Sequence, residues 1–189
     1  MKILIIKSSY RSGSNSSALA DKVAEGAQVA GAVAQVIDIG RLTINNCRSC
    51  YACINSDNFC VVHDDMYQFY QPVADADVII FASPVHWFNI SGQAKQFIDR
   101  LLAVAVLPRA PFSTKGFAAL FSFEDADAVR SGCVNALRMF QDMCSMTKAR
   151  WMGALYCSAD KAGEAAARPD LMAEAYIFGE NIVKEFKKK

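Results

Sequence analysis

Short, mostly apolar runs alternate along the chain with stretches in which apolar positions recur every three or four residues. Ile3 to Ile6, Val33 to Ile39, Val78 to Ala82, Phe117 to Phe121 and Trp151 to Cys157 are the runs. Their length and β-branched or aromatic character predict strands, most of them buried on both faces. A helix is expected after Ser17, with Leu19, Val23, Ala24, Ala27 and Ala30 on its inner face. Asp64-Asp65-Met66 opens a short amphipathic helix through Tyr70, followed by Pro72 and the Asp75-Ala76-Asp77 turn. From Ser91, a suitable N-cap, the positions Ala94, Phe97, Ile98, Leu101 and Leu102 predict a third helix. Ala128 to Met146 reads as a fourth, with Val129, Cys133, Ala136, Leu137, Phe140 and Cys144 inward. Arg168-Pro169-Asp170 breaks the chain before a last helix, Leu171 to Phe186, and Lys187 to Lys189 reads as a solvated tail.

Five strands alternating with helices make a doubly wound parallel sheet in a three-layer α/β/α sandwich. The expected strand order is the flavodoxin-like 2-1-3-4-5, in which the exits of strands one and three flank the topological switch point where ligands bind. No repeat, linker or low-complexity block interrupts the pattern, so residues 1–189 are expected to form one domain.

The two loops at that switch point carry unusual chemistry. After strand one, Ser8 to Ser17 holds six serines, one asparagine and one arginine. A helix N-terminus offers free N–H groups and a positive dipole end, so a hydroxyl-rich turn feeding it suits a phosphate dianion. The loop is neither G-x-x-x-x-G-K-[ST] nor G-x-G-x-x-G, which excludes a Walker A site and a dinucleotide fingerprint; the plainer alternative is a flexible serine-rich turn. After strand three, the connector Ser83-Pro84-Val85-His86-Trp87-Phe88-Asn89-Ile90 places an imidazole, an indole and a phenyl ring in a row. It reads as a wall against a flat aromatic ligand, or more plainly as an aromatic loop packed under a helix. One ligand with a single phosphate at one end and a flat ring at the other matches both loops: FMN.

Charge narrows the classes further. The net charge of +1 favours neither polyanion binding nor a small, strongly acidic electron shuttle, so no nucleic-acid partner is expected. No apolar run reaches the length of a membrane span, and Met1 to Lys7 is too short for a signal peptide. A cytoplasmic protein with no membrane partner is expected. The seven cysteines are an odd count for a reducing compartment, which favours metal binding or buried thiols over disulfides. Cys133 and Cys144 share a helix face and read as core thiols. Cys47, Cys50, Cys53 and Cys60, in an insert at 46–61, have the opening C-x2-C-x2-C spacing that bacterial ferredoxins use for [4Fe–4S] clusters. Free thiols and, more weakly, zinc are the alternatives.

The residues themselves resemble a known family. Ser9 to Ser16 is similar to the S-P-R-x-x-x-N-T phosphate loop of the NADPH-dependent FMN reductases, with Tyr10 in place of the usual proline. Ser83 to Gln93 is similar to that family's S-P-V-Y-W-F-N-M-S-G-Q, with His86 where tyrosine is common, and Phe97-Ile98-Asp99-Arg100 continues the match. The cysteine insert followed by Asp64-Asp65-Met66 resembles the iron–sulfur flavoprotein branch. The resemblance implies that Ser9, Arg11, Ser14, Asn15, Ser16 and Ser17 hold the phosphate, and that Pro84, Val85, His86, Trp87, Phe88 and Asn89 line the isoalloxazine and ribityl. Ser122 would approach the ring from its other side. His86 would either tune the flavin or simply pack, the latter being favoured, and no dedicated catalytic side chain is required because the cofactor carries the chemistry. The implied activity is an FMN-dependent NAD(P)H oxidoreductase, loaded by a nicotinamide nucleotide or a ferredoxin, passing electrons to an unidentified acceptor. A [4Fe–4S] cluster would serve as one-electron port, and a homodimer or homotetramer is expected. A non-enzymatic flavodoxin-like carrier, a cluster-free reductase and a zinc-stapled interaction module are the competing readings.

Overall fold

The computed structural model describes residues 1–54, 56, 58–105 and 111–188. Asn55 and Asp57 of the cysteine insert and Lys189 of the expected tail lie outside the described residues. Among the described residues six strands form the sheet: β1 (Lys2–Lys7), β2 (Val33–Asp38), β3 (Val78–His86), β4 (Asn89–Ile90), β5 (Gly116–Phe123) and β6 (Arg150–Ser158). The parallel order is β2-β1-β3-β5-β6, with β4 paired antiparallel to the end of β3. Leaving aside that two-residue strand, this is the expected flavodoxin-like order.

Alternation along each strand divides the core. Leu4, Ile6, Ile79, Phe81, Phe117 and Phe121 face α2 (Tyr70–Asp75), α3 (Gly92–Asp99) and α5 (Cys133–Thr147). Ile3, Ile5, Val78, Ile80, Ala118 and Leu120 face α1 (Asn15–Val29) and α6 (Pro169–Lys187). Both sets are buried, as a sheet covered on both faces requires, and each large side chain taken from water contributes about 1.5–3 kcal/mol. A short α4 (Leu102–Ala105) follows α3.

Several expected elements change shape. The strand predicted over Val78–Ala82 runs on to His86, and the connector read as a loop over Ser83–Ile90 is instead a β-hairpin, with Val85 opposite Ile90 and His86 opposite Asn89. Its two-residue turn is Trp87-Phe88, at φ 45° and 66°. Both values lie in the left-handed region that a type I′ turn demands, where Asn and Gly are usual and bulky residues rare. The helix expected from Ala128 starts at Cys133, because Gly132 adopts φ 75° immediately before it. Val129 therefore lies outside the helix and is 73% exposed, not inward. The helix expected over Asp64–Tyr70 begins as a 3-10 turn at Tyr67–Phe69 and continues through Pro72 to Asp75. Pro72 is tolerated because it sits in the first α-turn, where its missing N–H has no intrahelical partner. Leu102 is half-exposed at the start of α4 instead of extending the inner face of α3. The last helix starts at Pro169, a favoured first helical position.

Candidate functional site

The carboxyl ends of β1, β3, β5 and β6 open onto a cleft of about 340 Å³. Ser9, Tyr10, Arg11, Ser14 and Asn15 line it from the β1–α1 loop, Val85 and His86 from the hairpin, Ser122 to Glu124 from the end of β5, and Ala159 and Asp160 from the loop after β6. A second cleft of about 520 Å³ adjoins it, sharing Val85, Phe123 and Glu124 and bounded by Trp87, Phe88 and Arg130. Both serine and aromatic loops thus reach the same sheet edge.

At the serine end, Ser14 is the N-cap of α1 yet makes no side-chain capping bond. Its hydroxyl lies 3.1 Å from that of Ser16. The first-turn N–H groups have no intrahelical acceptors, so the positive end of a fifteen-residue helix faces the cleft without a cap. The Asn15 side chain is committed elsewhere. Its amide nitrogen donates to the Ala159 and Lys161 carbonyls at 3.3 and 3.0 Å, and its carbonyl accepts from Ala165 N at 3.0 Å. It fastens the loop after β6 to the loop after β1, leaving its backbone N–H to the cleft end of the helix. Arg11 donates one N–H to the Asp160 carbonyl at 2.6 Å, and a guanidinium has five such donors. Ser17 is half-buried and outside the cleft lining.

The hairpin is anchored from beneath. Ser83 Oγ accepts from Ser91 N at 2.9 Å, and Ser91 Oγ donates to Ser8 at 3.0–3.3 Å. Ser8 Oγ in turn donates to the Ala82 carbonyl at 3.0 Å. These buried serines tie the end of β3 to the end of β1, and Ser91 also caps α3 through Ala94 N. The turn is held from above by α5: Asn135 donates to the Phe88 carbonyl at 3.1 Å, and a Cβ at Gly132 would stand 2.4 Å from that of Phe88. Trp87, 93% exposed, stands free at the tip. Asn89 folds back to accept from Ile90 N at 2.8 Å. His86 is exposed along the cleft, so its side chain does not pack into the core.

Sequence reasoning missed the fourth wall, the loop after β6. Ala159-Asp160 holds Arg11 and Asn15 through carbonyl groups, which no side-chain motif advertises. The buried Ser8–Ser83–Ser91 set was equally silent, since isolated serines carry no periodicity.

The cysteine insert lies at the exit of β2. Cys47 and Cys50 are exposed and Cys53 and Cys60 half-buried. Among the described residues no three His, Cys, Asp or Glu side chains converge as ligands on one point. Burial, then like charge from Cys60, Cys47 and Cys50, pushes the Cys53 thiol up. Cys133, Cys144 and Cys157 are different. Burial pushes them up to about 12, 11 and 11, leaving them inert core thiols.

Comparison with known proteins places this geometry. A family model described as NADPH-dependent FMN reductase matches residues 1–164. An iron-sulfur flavoprotein of Archaeoglobus fulgidus is 34% identical over 102 residues, covering 54% of this chain and 46% of that protein. An iron-sulfur flavoprotein of Methanosarcina thermophila is 35% identical over 115 residues, 61% of this chain and 58% of that one. The chain spans about half the length of the curated relatives it matches. Among solved structures, the Trp repressor binding protein from Bacillus subtilis superposes with a TM-score of 0.69 at 23% identity, over 93% of this chain and 98% of that one, which is a likeness of fold.

Proposed function

Since the chain belongs to the NADPH-dependent FMN reductase family, we propose that it is an FMN-dependent NAD(P)H oxidoreductase whose ligand lies across the mouths of β1 and β3. One observation carries this reading: an uncapped helix N-terminus ringed by serine hydroxyls and a strained aromatic turn border one continuous pair of clefts.

In this reading the first-turn N–H groups of α1, the hydroxyls of Ser9 and Ser14, with Ser16 behind Ser14, and the Arg11 guanidinium hold the phosphate, while Ser17, outside the cleft lining, contributes only to the turn. Asn15 acts through its backbone and through the loop that its side chain fastens. Pro84, Val85 and His86 border the ribityl chain and one ring edge, Trp87, Phe88 and Asn89 present the turn to the ring, and Ser122 closes the opposite side. Bound there, FMN would supply two-electron exchange with a reduced nicotinamide and one- or two-electron exchange with an acceptor. The chain's own work is to orient the ring and keep its phosphate anchored. The second cleft, beside Trp87 and open to solvent, leaves room for a nicotinamide donor or a ferredoxin to approach. A neighbouring copy completing that open side is the reason to expect a homodimer or homotetramer.

Cys47, Cys50, Cys53 and Cys60 are the ligands assigned to a [4Fe–4S] cluster, which would supply one-electron transfer toward the unidentified acceptor. Support comes from the spacing and from relatives named as iron-sulfur flavoproteins. Steady-state oxidation of NADPH and NADH by the FMN-loaded protein, with a quinone as acceptor, tests the activity. Turnover supports a reductase; a flavin that is reduced once and never cycles supports the carrier reading.

A further inference from the structure

A third cleft, of about 690 Å³, continues the two already described along the same end of the sheet. It shares Phe123, Ala126 and Arg130 with the second cleft, and Phe123, the last residue of β5, lines all three. Pro84 of β3 pairs in register with Ser122 of β5, and Ser122 with Cys157 of β6. The groove thus runs from the hairpin across two strand spacings, about 10 Å, to β6 at the edge of the sheet.

This cleft combines a flat ring with two guanidinium groups. Tyr156 is 43% exposed, and its ring packs on that of Phe123 with centroids 6.2 Å apart. Arg130 stands at the junction with the second cleft, its side chain 71% exposed and its Asp125 partner 3.6 Å away. So long and exposed a pair contributes little, which leaves the guanidinium donors open to an anion. Arg168, at the start of α6, spends one N–H on the Ser158 carbonyl at 3.2 Å and keeps the rest of its fork. Acid groups border the groove as well. Asp127 is engaged, accepting from Val129 N and Arg130 N at 2.8 Å, and Ser158 donates to the Asp125 carbonyl at 2.8 Å. These bonds fix the loop that carries Arg130 to the end of β6. Glu124 lines the first two clefts, and Glu174, on α6, is exposed.

We propose that this third cleft seats the adenosine end of the nicotinamide donor, with Tyr156 stacking the adenine and Arg130 and Arg168 holding the phosphates. The proposal rests on the reductase reading above and adds a binding site to it. Along the groove come a cleft for the reacting rings, a cation and then an exposed aromatic ring. That is the order of nicotinamide, pyrophosphate and adenine in a dinucleotide. Stacking needs a flat ring open to solvent on one side, which a tyrosine on the edge strand, backed by Phe123, supplies. A guanidinium forks onto a phosphate through two parallel bonds. Tyr156 touches the part of the donor that does not react, so it binds ground and transition states alike and acts on KM, not on kcat.

The test compares ADP, NADPH and reduced nicotinamide mononucleotide, a donor without the adenosine half, on the full chain and the variants Tyr156→Leu and Arg130→Gln. Leucine keeps apolar contact with Phe123 and removes the flat ring, and the Arg130 side chain is exposed, so both variants should fold. Calorimetry on the flavin-free protein should show ADP binding to the wild type and roughly tenfold weaker binding to each variant. With FMN bound, Tyr156→Leu should raise the KM for NADPH about tenfold at the wild-type kcat. Its KM for the mononucleotide should match that of the wild type. Unmoved ADP binding and NADPH KM in Tyr156→Leu, or an equal rise in KM for both donors, overturns the proposal and leaves the reductase reading standing. So does a wild-type protein that oxidises both donors without binding ADP. A wild-type protein that oxidises neither donor overturns the reductase reading, and the adenosine site with it.

Discussion

Trp87 occupies a backbone conformation that costs a non-glycine residue on the order of 1–3 kcal/mol, with almost none of its side chain buried to offset it. Stability alone would not select it. Trp87→Gly relieves the strain and gives back about 0.5–1 kcal/mol in unfolded-chain freedom, so its Tm should equal or exceed that of the wild type. Its FMN affinity should fall roughly tenfold, the ~1.4 kcal/mol expected from a lost ring contact; calorimetry and a thermal melt on one preparation check both halves. Asp64 gives a pH signature. Burial raises its carboxyl pKa, but the donors of Arg100 and Asn45 outweigh that and hold it below the usual carboxylate range. A folded-state value below the unfolded one contributes stability at pH above about 4, and that stability is lost as pH falls through the folded value. Asp64→Asn should therefore cost about 3 kcal/mol at pH 7, roughly 6–12 °C in Tm, and the gap to wild type should narrow between pH 5 and 3. Serine and aromatic side chains at the site were legible in sequence because their types crowd abnormally. The buried links that set their geometry (Ser8 to Ser91, Asn135 to Phe88) were not, since each joins residues distant along the chain.

Among elements, α1 must hold its N-terminus against the cleft, and its crossing with α6 does this. A Cβ at Gly26 would stand 2.0 Å from the Tyr176 carbonyl oxygen, and one at Gly179 would stand 2.1 Å from that of Val23. The two helices touch backbone to backbone, so neither position can yield by a rotamer change. Gly179→Ala should force the helices apart and cost about 1–3 kcal/mol, read as a lower urea midpoint with an unchanged slope. Strand identity and order followed from apolar runs, because a strand covered on both faces needs little else. Element ends were harder. Gly132 delays α5 by adopting a left-handed conformation against Phe88, and the hairpin extends β3 beyond its apolar run. Tertiary contact, not local preference, decides both.

For the whole molecule, the doubly wound sheet brings four loops to one edge and sets the cysteine insert at the neighbouring β2 exit, above a buried ion pair. No helix among the described residues is long and apolar enough to cross a membrane. If the insert carries a cluster, the anaerobically purified protein should contain about four irons and four sulfides per chain, with broad absorption beneath the flavin bands; two flavin bands and no iron would leave a flavin-only oxidoreductase of the same fold. The claim beneath all of this is that the α1 N-terminus and its serines read a phosphate while the hairpin reads a ring. Titration of the apoprotein with FMN and with riboflavin, followed by quenching of flavin fluorescence, addresses it directly. Quenching by both with FMN at least a hundredfold tighter, a difference of about 2.7 kcal/mol, is the predicted result. Equal affinities, or no quenching by FMN at saturation, would contradict it.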